Sequence, residues 1–211
     1  MPNLVITIGR EPGSGGKLIA EELSKLTGFP IYDKELINEA SKESGLSEEF
    51  IEKMDEKVSH STVGGLFGLR NSLMDQVFSS NYLSNESLFK IQSDVIRKIA
   101  KEKSVIFVGR CADYVLKDSD NVFNVYITAP KEDRIIRMME RNQLNEQKAK
   151  ELVEKMDKRR RSYYNYYSNK CWGHANSYHL SIDSSKVGIK ESAELIFRIV
   201  RGKIQKMNNE Q

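Results

Sequence analysis

Leu4-Val5-Ile6-Thr7-Ile8-Gly9-Arg10-Glu11-Pro12-Gly13-Ser14-Gly15-Gly16-Lys17 decides the fold. The run from Leu4 to Ile8 is apolar and β-branched, as a buried strand requires. Glycines then crowd the chain up to Gly16, and Ile19, Leu23 and Leu26 recur at helical spacing as far as Gly28, a natural helix stop. A strand, a glycine loop and a helix in that order make an anion cradle. The glycines let several backbone N–H groups converge without Cβ obstruction. The helix start adds its positive end, and Lys17 supplies a mobile point charge. A plain strand-to-helix turn with an incidental lysine is the alternative reading.

Outward from this stretch, short apolar runs alternate with helical patterns. Phe29-Pro30-Ile31-Tyr32, Val105–Val108, Val122–Ile127 and His179–Ile182 read as further strands. They are continuous rather than alternating, which suits a parallel sheet covered on both faces. Leu88, Ile91, Val95 and Ile99 share one helix face behind an N-cap at Ser84 or Asn85, and Pro130 opens a helix carrying Ile135, Ile136 and Met139. Ala193, Ile196, Phe197 and Val200 mark a last amphipathic helix, with a frayed polar tail expected after Ile204. Ser59–Ser80 reads as a glycine-interrupted loop. Long excursions precede Val105 (Lys34–Lys103) and His179 (Arg141–Asn176), the usual places for ligand-binding inserts in an open α/β sheet.

Composition narrows the partners. The 211 residues carry a formal net charge of only +3 with charges of both signs, so nothing drives the chain toward nucleic acid or a membrane surface. No stretch approaches the roughly 20 apolar residues of a membrane span. Cys111 and Cys171 stand far apart, without metal or disulfide spacing. These features and the lack of a signal-like N-terminus lead us to expect a cytoplasmic protein.

Separated segments together resemble the cytidylate kinase-like proteins of the P-loop kinase fold. They are Ile6–Glu11 leading into Gly13–Gly16, Tyr32–Ile37, Val108-Gly109-Arg110 with Asp113, Asp157-Lys158 with Arg160 before Tyr163-Tyr164, Trp172-Gly173, and Tyr178–Ser185. The resemblance covers nearly the whole chain. It implies a three-layer α/β fold with a parallel five-stranded sheet, a helical acceptor-binding insert at about 34–103 and a lid at about 141–176, on a core of 1–33, 104–140 and 177–204. It implies an ATP-dependent phosphotransferase, with Mg²⁺ and with CMP or dCMP first among acceptors. Gly13, Ser14, Gly15, Gly16, Lys17 and Leu18 would hold the donor. Lys17, Arg110 and Arg160 would act in transfer. Asp33, Lys34, Arg110, Asp113, Asp157 and Arg161 would contact the acceptor.

Some readings stay double. Lys158–Arg161 is either a phosphate-binding lid or a solvated basic face. Asp113 orients Arg110 or a ribose, or caps a helix. Tyr163, Tyr164, Tyr166, Tyr167 and Trp172 stack a base or pack the insert. Glu11 replaces the first glycine of the usual phosphate-loop pattern, and Leu18 and Ile19 replace its metal-binding hydroxyl. Val105–Val108 ends without an acid. A kinase of another small metabolite and a non-catalytic nucleotide sensor therefore stand as alternatives.

Overall fold

The β-branched run after Asn3 forms the central strand β1 (Val5–Arg10), continuing through Gly9 and Arg10 beyond the expected end at Ile8. The structure, a computed structural model, describes residues 3–33, 86, 89–90 and 92–209, with backbone only from 204 onward. β1 pairs in parallel with β3 (Val105–Val108) on one side and β4 (Val122–Thr128) on the other. β2 (Ile31–Tyr32) extends the sheet beside β3, and β5 (Leu180–Asp183) extends it beside β4. The order is β2-β3-β1-β4-β5, all parallel. The chain leaves β1 toward one edge, then crosses from β3 to β4 over β1, so connections change direction there. In such sheets ligands bind outside the carboxyl ends of the strands at that point.

The described helices are α1 (Gly16–Thr27), α2 (residues 92–102), α3 (Ala112–Val115), α4 (Lys131–Asn142), α5 (Glu146–Ser168), α6 (Ser184–Val187) and α7 (Ile189–Asn209). Leu4, Ile6 and Ile8 pack with Ile19, Ala20 and Leu23 of α1 and with Ala193, Ile196 and Val200 of α7. Each such isoleucine or leucine, fully buried, contributes about 2 kcal/mol. Val5, Val105 and Phe107, on the opposite face, are equally buried, which is why these strands read as unbroken apolar runs. Thr7 is the polar exception, and its Oγ1 donates to Asn124 Oδ1 at 2.7 Å.

Helices α4 and α5 form a hairpin with a small core of its own, Met138, Ala149 and Val153 flanked by Leu152 and Met156. Asn145 caps α5 by accepting from the Lys148 N–H. Helix α7 runs to Asn209, correcting the frayed tail expected after Ile204. No proline follows the apolar stripe, and Lys, Gln and Met favour helix.

Cα packing divides the chain into residues 1–33 with 99–211, and residues 34–98. In the second unit the described residues are helical, with Ser93 Oγ donating to the Phe89 carbonyl at 2.7 Å and Arg97 paired to Asp94 at 3.0 Å. The expected caps Ser84 and Asn85, the loop Ser59–Ser80, Lys34, Leu88 and Ile91 lie outside the described residues. Among the described residues no helix is long and apolar enough to cross a membrane.

Candidate active site

Between Arg10 and Gly16 the chain turns through Glu11–Gly15 with Gly13 at φ 76° and Gly15 at φ 77°, a region that strains other residues. Space matters as much as dihedrals. A Cβ on Gly13 would lie 2.5 Å from the Arg134 carbonyl oxygen, and one on Gly16 would lie 2.6 Å from Arg10 Cβ. Helix α1 starts at Gly16 with no side-chain cap, so its first N–H groups have no intrahelical acceptor and carry the positive end of the helix.

The loop carbonyls are turned to the protein. The Pro12 carbonyl accepts from Arg134 Nη1 at 3.4 Å, that of Gly13 from Arg137 Nη1 at 3.3 Å, and that of Ser14 from Ser184 Oγ at 2.6 Å. Across a trans peptide the next N–H points the opposite way, so pinning the Pro12 and Ser14 carbonyls aims the Gly13 and Gly15 N–H groups outward. Glu11, in place of the first glycine, staples the loop to the end of β4. Its Oε2 accepts from Thr128 Oγ1 at 2.6 Å and from the Ala129 N–H at 3.2 Å, and Arg134 Nε stands 3.5 Å away. Lys17 is exposed on the first turn of α1, and among the described residues it makes no hydrogen bond or ion pair.

Three arginines reach the carboxyl ends of β1 and β3. Arg10 ends β1. Arg110 follows β3 in a left-handed turn in which Gly109, Arg110 and Cys111 take φ 78°, 60° and 53°, costly for the two non-glycines. Arg160 comes from α5 and donates through Nη1 to the Arg10 carbonyl at 2.8 Å. Burial first, then repulsion from Arg10, pulls Arg160 down to about 9. Burial also lowers Arg10, with Asp33 opposing and Arg110 adding repulsion. Asp33, just after β2, pairs with Arg10 at 3.6 Å. Crowded guanidiniums of this kind stabilise an incoming anion.

Asp157 faces the same region of α5 but is already held. Arg134 Nη1 donates to both its carboxylate oxygens at 3.0 Å, and burial raises the carboxyl while Arg134 opposes the rise. Arg134 is itself buried and also donates to the Ala129 carbonyl at 3.1 Å, so it joins the phosphate loop, the end of β4 and α5. Arg137 does the same for α6, reaching Ser184 Oγ at 3.0 Å and Ser185 Oγ at 2.9 Å. These two arginines are scaffold.

Asp113 is buried in the first turn of α3, where Tyr164 donates to its Oδ2 at 2.6 Å and burial raises its carboxyl. Tyr164 and Trp172 pack rather than splay: Tyr126 stacks near Tyr178 with centroids 4.7 Å apart, Trp172 meets Tyr126 edge-on at 5.8 Å, and Tyr164 lies 6.3 Å from Tyr178. Arg161 is exposed on α5, as are Lys158 and Arg159, so of the basic run only Arg160 turns inward. Leu18 is 55% exposed. Lys34 lies outside the described residues.

A bound Mg²⁺ needs oxygen ligands. Ser14 is fully buried and its Oγ donates to the Glu11 carbonyl at 2.9 Å, Glu11 is committed to Thr128, Ala129 and Arg134, and Leu18 has no oxygen. Among the described residues no acidic or histidine cluster could hold a metal. The side chains of the loop do not themselves offer ligands to a metal.

A family model described as the cytidylate kinase-like family matches residues 5–186. The chain belongs to that family. No curated protein matches it significantly. An uncharacterised protein from Eubacterium ventriosum is similar in structure, with a TM-score of 0.71 and 28% identity over 94% of this chain and 99% of that one. Shikimate kinase from Bacteroides thetaiotaomicron matches at a TM-score of 0.53 and 7% identity, over 94% of this chain and 98% of that one. A gluconokinase from Sinorhizobium meliloti matches at 0.51 and 12%, over 98% and 97%. The last two share the fold of this cytidylate kinase-like chain.

Proposed function

We propose that the chain transfers the terminal phosphoryl group of ATP to a small anionic acceptor, a nucleoside monophosphate with CMP and dCMP first in line. The observation that carries this reading is the meeting, at one end of the sheet, of an outward-facing N–H loop with Lys17 and the arginine group of Arg10, Arg110 and Arg160. The N–H groups of Gly13 and of Gly15–Leu18 hold the donor's phosphates, with Ser14 bracing the loop through the Glu11 carbonyl, and Lys17 reaches the terminal ones. Arg110 grips the acceptor's phosphate, and Arg160 brings positive charge from α5 onto the transferred group. Asp33, beside Arg10, is left as the acidic acceptor contact, whereas Asp113 is committed to Tyr164, Asp157 to Arg134, and Arg161 is exposed on α5.

An acceptor phosphate oxygen attacks the γ-phosphorus as the bond to the ADP oxygen breaks. The nucleophile is already anionic, so no base is required. Charge gathers on the equatorial oxygens, where fixed cations lower the barrier most. Arginine forks bind carboxylates as readily as phosphates, which keeps a carboxylate-bearing metabolite as the second reading.

Coupled ADP release over CMP, dCMP, AMP, GMP, UMP, shikimate and gluconate tests both. Turnover with a nucleoside monophosphate supports the first reading, turnover with shikimate or gluconate alone supports the second, and no release with any acceptor overturns both.

A further inference from the structure

The arginines around the loop fall into two kinds. Arg134 and Arg137 spend their donors on named oxygens of Pro12, Gly13, Ala129, Asp157, Ser184 and Ser185. Arg10 does not. Its side chain is 19% exposed, yet among the described residues its only partner is Asp33, at a long 3.6 Å. A guanidinium carries five N–H donors, and a desolvated one is normally hydrogen-bonded. Arg10 also has a place made for it. A Cβ on Gly109 would overlap the Arg10 Nη1, so only glycine there lets the guanidinium lie against the turn that presents Arg110.

We propose that Arg10 is a further acceptor-binding residue that grips the acceptor's anionic group beside Arg110, with Asp33 holding its guanidinium in place until the anion arrives. Calling that anion the acceptor's rests on the phosphotransferase reading; the anion site itself does not. A long, part-exposed ion pair is weak, whereas an anion offering two oxygens to the fork is a stronger partner in better geometry. Arg10 thus keeps donors uncommitted among the described residues, and Asp33 holds the guanidinium at the site. Burial of Arg10 and its repulsion from Arg110 point the same way, since both are relieved by a bound anion.

The test titrates inorganic phosphate calorimetrically into the full chain saturated with AMPPNP, a non-transferable donor analogue that fills the loop. Arg10→Gln is expected to weaken phosphate binding about tenfold and Arg10→Lys to restore part of it, with AMPPNP affinity unchanged within about twofold. The assignment is overturned by a wild type that binds no phosphate, by equal phosphate affinity in Arg10→Gln, or by an equal loss for AMPPNP. Should Arg10→Gln fail to fold, wild-type affinity in Arg10→Lys overturns it instead. Turnover separates the two readings. Phosphate binding through Arg10 with no ADP release for any acceptor keeps the anion site and sinks the kinase. Turnover in Arg10→Gln with an unchanged acceptor KM does the reverse.

Discussion

At the scale of single residues, each charged group near the loop has a distinct physical assignment. Lys17 is exposed and makes no described contact, so Lys17→Ala leaves packing untouched. Turnover should fall about a hundredfold while the melting temperature stays at the wild-type value, read by ADP release and calorimetry. Asp113 offers a pH signature. Its folded carboxyl is raised, first by burial and despite the hydrogen bond from Tyr164, so the folded state binds more protons than the unfolded one above the ordinary aspartate range. Stability contributed at that position is therefore lost as pH rises through the window between the ordinary and the raised values. Asp113→Asn removes the titration. The wild type should lose stability relative to Asp113→Asn as pH climbs from about 4 toward neutrality, measured by urea unfolding at several pH values. A constant difference across that range contradicts the burial account. Lys17 and Arg110 stand out as candidates in the sequence because glycine neighbours and strand ends announce them. Arg10 was not, because what defines it, Gly109 and Asp33, is distant in sequence.

At the scale of elements, the α4–α5 hairpin and the phosphate loop are one mechanical piece. Arg134 links Pro12, Ala129 and Asp157, with Glu11 close by, and its side chain is only 7% exposed. Arg134→Ala strands two carboxylates and should cost about 3 kcal/mol in denaturant unfolding, with activity falling as well. Gly13→Ala meets both a left-handed backbone and the Arg134 carbonyl at 2.5 Å, and should destabilise by more than about 1 kcal/mol. Wild-type stability in either variant removes the linkage. The strands were readable nearly to the residue, since a doubly covered parallel sheet leaves unbroken apolar runs. The linkage was not. Arg134 and Arg137 sit three apart on a charged helix, and such a pattern also describes a solvated face. Glu11 looked like a defect in the loop motif, and only its bonds to Thr128 and Ala129 reveal a staple.

At the scale of the molecule, a five-stranded parallel sheet carries the glycine loop and three arginines at the same carboxyl end. Order and spacing of motifs over residues 5–186 were enough to indicate the family. The acceptor was not readable, because arginine forks recognise an anion and not the group that bears it. Phosphoryl transfer from ATP to an anionic acceptor is the step that the whole arrangement would serve. ³¹P NMR of the chain with ATP, Mg²⁺ and CMP follows it most directly. New diphosphate resonances of CDP should grow as the γ-phosphate of ATP disappears, and should be lost in Arg110→Ala. An unchanged ATP spectrum with CMP and with every other anionic acceptor would contradict it.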